Sequence, residues 1–193
     1  MNTKASSSNW QSDPEGRINN ISLAPNPKNT LFPLLESIMN SIQAIEERFG
    51  SGRITEGVIE VTFIRSQNGD CVGFRIRDNG VGFNEDNLNS FKKMDSQKKV
   101  KIGGKGVGRL LWLKVTDHVH IRSTFLNESC IQTVTFDFSL HDPIQNLSFE
   151  NAANGAEIET TVELHPYHAV YSKEIPKKAT TIANRILAHF IRV

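Results

Sequence analysis

Six residues, Asp78-Asn79-Gly80-Val81-Gly82-Phe83, constrain this chain more than any other stretch. They follow a run in which Val72, Phe74 and Ile76 alternate with Cys71, Gly73, Arg75 and Arg77, the period of a strand with one buried face. An acidic residue thus leaves a strand end and enters a turn with two glycines one residue apart. Glycine permits backbone angles and close approaches that a Cβ blocks, so Gly80 and Gly82 would let a ligand lie directly against the turn. Asp-Asn-Gly is also ordinary turn chemistry. The segments before and after it decide between the two.

Upstream, Pro25-Asn26-Pro27 breaks the chain ahead of the clearest helix, for which Asn29 or Thr30 is the expected cap, Pro33 lies in the first turn and Gly50 is the stop. Leu31, Leu34, Leu35, Ile38, Ile42, Ile45 and Phe49 recur at helical spacing and make an apolar face. Glu36, Asn40 and Gln43 lie roughly opposite. Glu36 and Asn40 are one turn apart, so a carboxylate and an amide project together, either as a solvated face or as a pair with a task. Gly57 to Arg65 and Cys71 to Arg77 read as an antiparallel hairpin about Gln67-Asn68-Gly69-Asp70, which delivers Asp78 to its strand end.

Downstream, Asn84 to Ile102 is polar, with a short helix expected around Asp86–Met94. Its lysines, Lys92, Lys93, Lys98, Lys99 and Lys101, read either as a solvated run or as a mobile lid facing a polyphosphate. Gly103-Gly104-Lys105-Gly106-Val107-Gly108-Arg109 then runs into the apolar helix Leu110–Val115. A glycine loop feeding a helix start offers unpaired N–H groups and the positive end of the helix dipole to an anion, with Lys105 as an added point charge. No Lys-Ser or Lys-Thr follows the last glycine and no strand leads in, so it is neither a Walker loop nor a dinucleotide fingerprint. His118 to Phe125, Cys130 to Phe138 and Ala156 to Leu164 are further strand candidates, and Arg17 to Leu23 could be a short one. His118/His120 and His165/His168 lack the cysteine or carboxylate company of a metal site. A last helix opens at Pro176, with Ile182, Ile186, Leu187 and Phe190 on one face.

The 193 residues suffice for one domain with a real core. Apolar and charged fractions of 38% and 22% are those of a soluble globular protein, and a net charge of +1 makes no case for nucleic acid or an anionic membrane. There is neither a membrane-length apolar run nor the apolar core of a signal peptide, so a cytoplasmic location is expected, with Cys71 and Cys130 as reduced thiols. Residues 1–16, Ser/Asn-rich and polar, are expected to be a flexible arm ahead of a domain over 17–193.

Glu-x-x-x-Asn on a helix, Asp-x-Gly-x-Gly after a strand, a polar span, a glycine loop opening a helix and a late Gly-led strand occur here in that order. This resembles the GHKL superfamily of gyrase-type topoisomerases, MutL repair proteins, the large heat-shock chaperone and the histidine kinases, over about Asn19 to Leu164. The resemblance implies a two-layer α+β sandwich of Bergerat type, its sheet mixed but mostly antiparallel with helices on one face. It implies that Asn40 coordinates Mg²⁺ on the phosphates of ATP, that Glu36 orients and deprotonates the attacking water, and that Asp78 accepts a hydrogen bond from the adenine amino group. Gly80 belongs to the same turn, and Gly82 matches the glycine that lets the base lie close. Gly104, Lys105, Gly106, Val107 and Gly108 match the loop that closes over the phosphates. The late motif of relatives reads Gly-Thr; here it is Gly155-Ala156, which cannot donate, and Thr160 or Thr161 is the candidate substitute.

The function implied is an ATP-binding, Mg²⁺-dependent ATPase module that switches attached domains, as the N-terminal part of a longer protein that dimerises on ATP. A histidine-kinase-like or non-hydrolysing nucleotide sensor is the alternative. Glu36 favours the ATPase, and no phosphoacceptor helix pair is evident. A nucleic-acid module, resting on the lysines alone, is not indicated.

Overall fold

The computed structural model describes residues 14–92, 108–140, 142, 144–153 and 155–191. Strands β1 (Ile59–Arg65), β2 (Cys71–Asp78), β3 (His118–Asn127), β4 (Cys130–Ser139), β5 (Gln145–Asn151) and β6 (Glu159–Leu164) form one sheet in the order β1-β2-β6-β3-β4-β5. Every neighbouring pair is antiparallel, so the sheet expected to be mixed is antiparallel throughout. β6, last in sequence, inserts between β2 and β3. That crossover brings a late segment beside the end of β2.

The register makes the core legible row by row. Val61, Ile76, Val162, Ile121 and Phe136 lie side by side across five strands, and Phe63, Phe74, Leu164, Val119 and Phe138 form a second row. Against this face lie α1 (Pro14–Asn19), α2 (Phe32–Phe49), α3 (Glu85–Lys92), α4 (Gly108–Val115), α5 (Ala169–Ser172) and α6 (Ala179–Phe190). Ile18, Ile38, Leu88, Trp112, Tyr171 and Ile182, one from each helix, join the strand residues in a single cluster. The opposite face of the sheet carries cross-strand ion pairs, Arg75 to Glu163 at 2.6 Å and Arg77 to Glu159 at 2.8 Å, and a hydrogen bond between His120 and Asp137 at 2.7 Å. The arginines are exposed and their partners partly so, and such surface pairs are worth at most about 1 kcal/mol each. The result is a two-layer α+β sandwich.

α2 follows its apolar pattern, with Leu34, Leu35, Ile38 and Ile45 buried, and ends at Gly50, whose φ of 64° and N–H bond to Glu46 O close the last turn. Its start differs from expectation. A 3₁₀ turn, Asn29–Leu31, precedes it, and the Asn26 side chain accepts the N–H groups of Lys28 and Asn29 at 3.0 and 2.9 Å. Thr30 caps nothing; its buried hydroxyl donates to Tyr171 O at 3.0 Å.

Three further expectations are corrected. The strand proposed for Arg17–Leu23 is instead the helix α1 followed by coil, because Ile18 is buried against α4 while Lys114 Nζ donates to the Ile18 carbonyl at 3.1 Å. Residues 14–16, placed in the arm, form the first half of that helix. β5 was not foreseen: as an edge strand with Leu147 and Phe149 exposed, it lacks the buried face that reveals a strand. Leu187 is 57% exposed, so the core contacts of α6 run through Ile182, Ile186 and Phe190.

Tyr167, T-stacked on Phe74 with ring centres 5.7 Å apart, is buried with its hydroxyl unpartnered among the described residues. Such a group costs about 1–3 kcal/mol of desolvation. Tyr167→Phe is therefore expected to leave the urea midpoint unchanged or raise it, whereas Phe74→Ala should lower stability by about 3–5 kcal/mol. A Tyr167→Phe protein markedly less stable than the wild type would show that the hydroxyl has a partner.

Candidate nucleotide-binding site

A third row crosses the sheet beyond the two apolar ones: Ile59, Asp78, Thr160, Ser123 and Val134. Its three central members are polar, face the helices and are buried, at 5%, 4% and 0% exposure. Asp78 ends β2 and enters this layer without a cation among the described residues. Its Oδ2 accepts the Ser41 hydroxyl at 2.7 Å and its Oδ1 accepts the Gly80 N–H at 2.9 Å. Burial pushes the Asp78 carboxyl above its ordinary value, and the two hydrogen bonds pull it back. Each oxygen keeps a lone pair for a further donor.

The turn after Asp78 is seated between α2 and β3. A Cβ on Gly80 would lie 2.5 Å from Ala44 Cβ, and the Val81 N–H donates to Ala44 O at 3.0 Å. Gly82 has φ 80°, and a Cβ there would come within 2.8 Å of Phe125 Cβ and Ser123 Oγ. The close approach that both glycines permit is thus to the protein's own α2 and β3. Asn79 fastens the chain before β1, accepting the Val58 N–H at 2.7 Å and donating to Glu56 O at 2.9 Å. Phe83 enters an aromatic cluster with Phe91 and Phe136, at 5.4 Å from each.

Thr160 is the cross-strand partner of Asp78, and its hydroxyl lies 2.8 Å from Ser123 Oγ, which also accepts the Phe83 N–H at 3.0 Å. Thr161 pairs with Arg77 and Arg122, on the ion-pair face. Gly155, at φ 81°, and Ala156 lie in a turn ahead of β6. Of the residues weighed for the late contact, Thr160 is the one placed beside Asp78.

Glu36 and Asn40 are both half-buried on α2. Glu36 reaches the first residue of α4, where a Cβ on Gly108 would overlap its carboxylate. Glycine at 108 therefore lets a carboxylate sit at a helix start, where the dipole favours negative charge. Gly104, Lys105, Gly106 and Val107, together with Lys93, Lys98, Lys99 and Lys101, lie outside the described residues. The flanks of that span touch: the Arg109 guanidinium donates to Phe91 O and lies 5.0 Å over the Phe91 ring. Among the described residues no three His, Cys, Asp or Glu side chains converge on a metal position. A cation here would depend on one or two protein oxygens and the phosphates, the usual manner of Mg²⁺.

Ser41 and Ser123 were not anticipated, although each leaves a trace in the sequence. Ser37 and Ser41 interrupt the apolar stripe of α2, and Ser123 interrupts the inward alternation Val119, Ile121, Phe125. A polar residue at an inward position needs a buried partner.

Because the Asp78 carboxyl is raised, the native state between the ordinary carboxylate value and that higher one keeps a proton the unfolded chain has released. Asp78 therefore favours the fold at the acid end of this window and costs stability as pH rises through it. Asp78→Asn removes the buried charge and can still satisfy Ser41 and Gly80. Its melting temperature relative to the wild type is expected to climb as pH rises through the window. A difference that does not vary with pH would contradict the raised value.

No helix among the described residues is long and apolar enough to cross a membrane. Comparison with curated proteins finds no match to this chain. The family model of the histidine kinase-, DNA gyrase B-, and HSP90-like ATPases matches residues 34–144, from the start of α2 across the Asp78 turn and α4 to just before β5. With more than half of its residues so matched and Asp78, Ser41 and Thr160 brought together, the chain belongs to this family and is an ATP-binding domain of the GHKL type.

Proposed function

We propose that this domain binds Mg²⁺–ATP with adenine at Asp78 and phosphates toward Asn40, Glu36 and the start of α4, and that it hydrolyses ATP to switch attached domains. The observation that carries the reading is Asp78 itself: a buried carboxylate held, among the described residues, by Ser41 and Gly80 and by no cation. An ionised carboxylate only accepts, so it suits the amino edge of adenine and repels the carbonyl edge of guanine. Thr160, its cross-strand neighbour, would add a hydroxyl contact to the base.

Glu36 is assigned as the base that orients and deprotonates the attacking water; its contact with Gly108 supports this by holding the carboxylate where the phosphates are expected. Asn40, one turn further on, would hold Mg²⁺ through its amide oxygen, and the ion supplies charge neutralisation of the phosphates. Gly104, Lys105, Gly106 and Val107 are assigned with Gly108 to the phosphate-closing loop. Gly80 and Gly82 are assigned to the wall against which the base lies, with their Cβ positions taken up by α2 and β3. We read α1 to α6 as one ATP-binding unit in a longer cytoplasmic protein. A following domain would complete the catalytic machinery and let ATP drive dimerisation through its greater affinity for the closed state.

A thermal-shift series with ATP, ADP and GTP, with and without Mg²⁺, tests the binding claim. Adenine nucleotides at about a hundred times their dissociation constant are expected to add roughly 2.7 kcal/mol, with no response to GTP and none by Asp78→Asn. A flat response of the wild type to all of them would remove the reading. In the full-length protein Glu36→Ala should keep ATP affinity and lose phosphate release. Hydrolysis at the wild-type rate would rule Glu36 out as the base.

A further inference from the structure

We propose that Arg48, near the end of α2, is a positioning residue that sets how Asp78 and Thr160 face the base, and so the preference of the domain for adenine over guanine nucleotides. The proposal rests on the adenine reading of Asp78.

The β2–β6 ladder ends at the pair Asp78–Thr160. Past it, β2 turns away at Asn79 and β6 has only just begun, so the carbonyls of Asn79 and Ile158 lie beyond the last rung. Arg48 Nη1 donates to both, at 2.5 Å to Asn79 O and 3.2 Å to Ile158 O. The guanidinium also lies 4.8 Å from the Phe49 ring centre, which limits its freedom. One side chain thus takes the place of the missing rung and ties three segments: α2, the turn that follows Asp78 and the entry to β6.

A cleft of about 130 Å³, lined by Val58, Asp78, Asn79, Ile158 and Glu159 among others, opens at the same place. Arg77, on the other face, is committed to Glu60 and Glu159. Asn79 is pinned on its far side to Val58 and Glu56, toward β1, and the Arg48 bridge ties its carbonyl to the entry of β6, just past the ladder pair Asp78–Thr160. An arginine suits this task because its planar fork presents several fixed donors, whereas a lysine offers one mobile point charge. If the bridge is lost, the turn after Asp78 is freed from the entry to β6, and the carboxylate, still held by Ser41 and Gly80, shifts with that turn relative to Thr160, weakening the contact with the adenine amino group and relieving the repulsion of a guanine carbonyl.

The test is calorimetric titration of wild type, Arg48→Met, Arg48→Lys and Asp78→Asn with ADP and with GDP, beside their melting temperatures. Arg48→Met is expected to lose ADP affinity on the order of tenfold, as for loss of charge-assisted hydrogen bonds, and to lose less for GDP, so that the ADP-to-GDP ratio shrinks. Arg48→Lys, the variant less disturbing to the fold, should restore part of that ratio. Unchanged affinities in both Arg48 variants, or an equal loss for both nucleotides alongside a lower melting temperature, would overturn the proposal while leaving Asp78 in place. A wild type that fails to bind ADP would remove the adenine reading and this inference with it.

Discussion

A carboxylate buried at 5% exposure, with no cation beside it among the described residues, is the constraint on which the rest of this structure depends. Its ionised form is costly in the interior, and the surroundings are built to bear that cost. Ser41 comes from the helix side and the Gly80 amide from the following turn. Thr160 and Ser123 continue the polar layer across two more strands. The two rows that precede it on the same face are apolar. The polar row is therefore a local exception, and it lies where the sheet meets the turn and α2.

The two glycines of the turn follow from the same constraint. To bring its N–H onto Asp78 Oδ1, the chain must run so close to α2 that a side chain at residue 80 would strike Ala44. It must then swing at positive φ past β3, where a side chain at residue 82 would strike Phe125 and Ser123. Phe83 follows, with its N–H on Ser123 and its ring against Phe91 and Phe136. The turn is thereby anchored to both layers of the sandwich, so a ligand meeting Asp78 would find a carboxylate that is already oriented. Such preorganisation reduces what must be ordered on binding.

The two faces of the sheet divide the labour. The outer face, with its exposed arginine–glutamate and histidine–aspartate pairs, stays in water. The inner face supplies both the core and the candidate site, and the helices that cover it carry the candidates Glu36 and Asn40 on α2 and Gly108 at the start of α4. Since α2 carries the phosphate-side candidates, Ser41 and Arg48, a shift of this one helix would be felt at both ends of a bound nucleotide.

Much of this was legible in the amino-acid order, because it rests on local physics. The 3.6-residue stripe of α2, the two-residue alternation of β2, the Asn-Gly hairpin and the glycines around Asp78 each report what their own segment can do. Where burial was one-sided the reading held, and where it was not the reading failed: β5 is an exposed edge, and α1 was mistaken for a strand because six residues with one buried isoleucine suit either form. Adjacency across the chain was a different matter. That Asp78 rests on Ser41, that Thr160 rather than Thr161 is its neighbour, and that Arg48 spans Asn79 and Ile158 all follow from β6 inserting between β2 and β3 and from the register it takes there. No local pattern encodes which partner a buried polar group will meet. The sequence by itself determined the fold class and offered the candidate residues for the site. Only the tertiary structure decided which of them stand together, since a long-range strand pairing sets those distances.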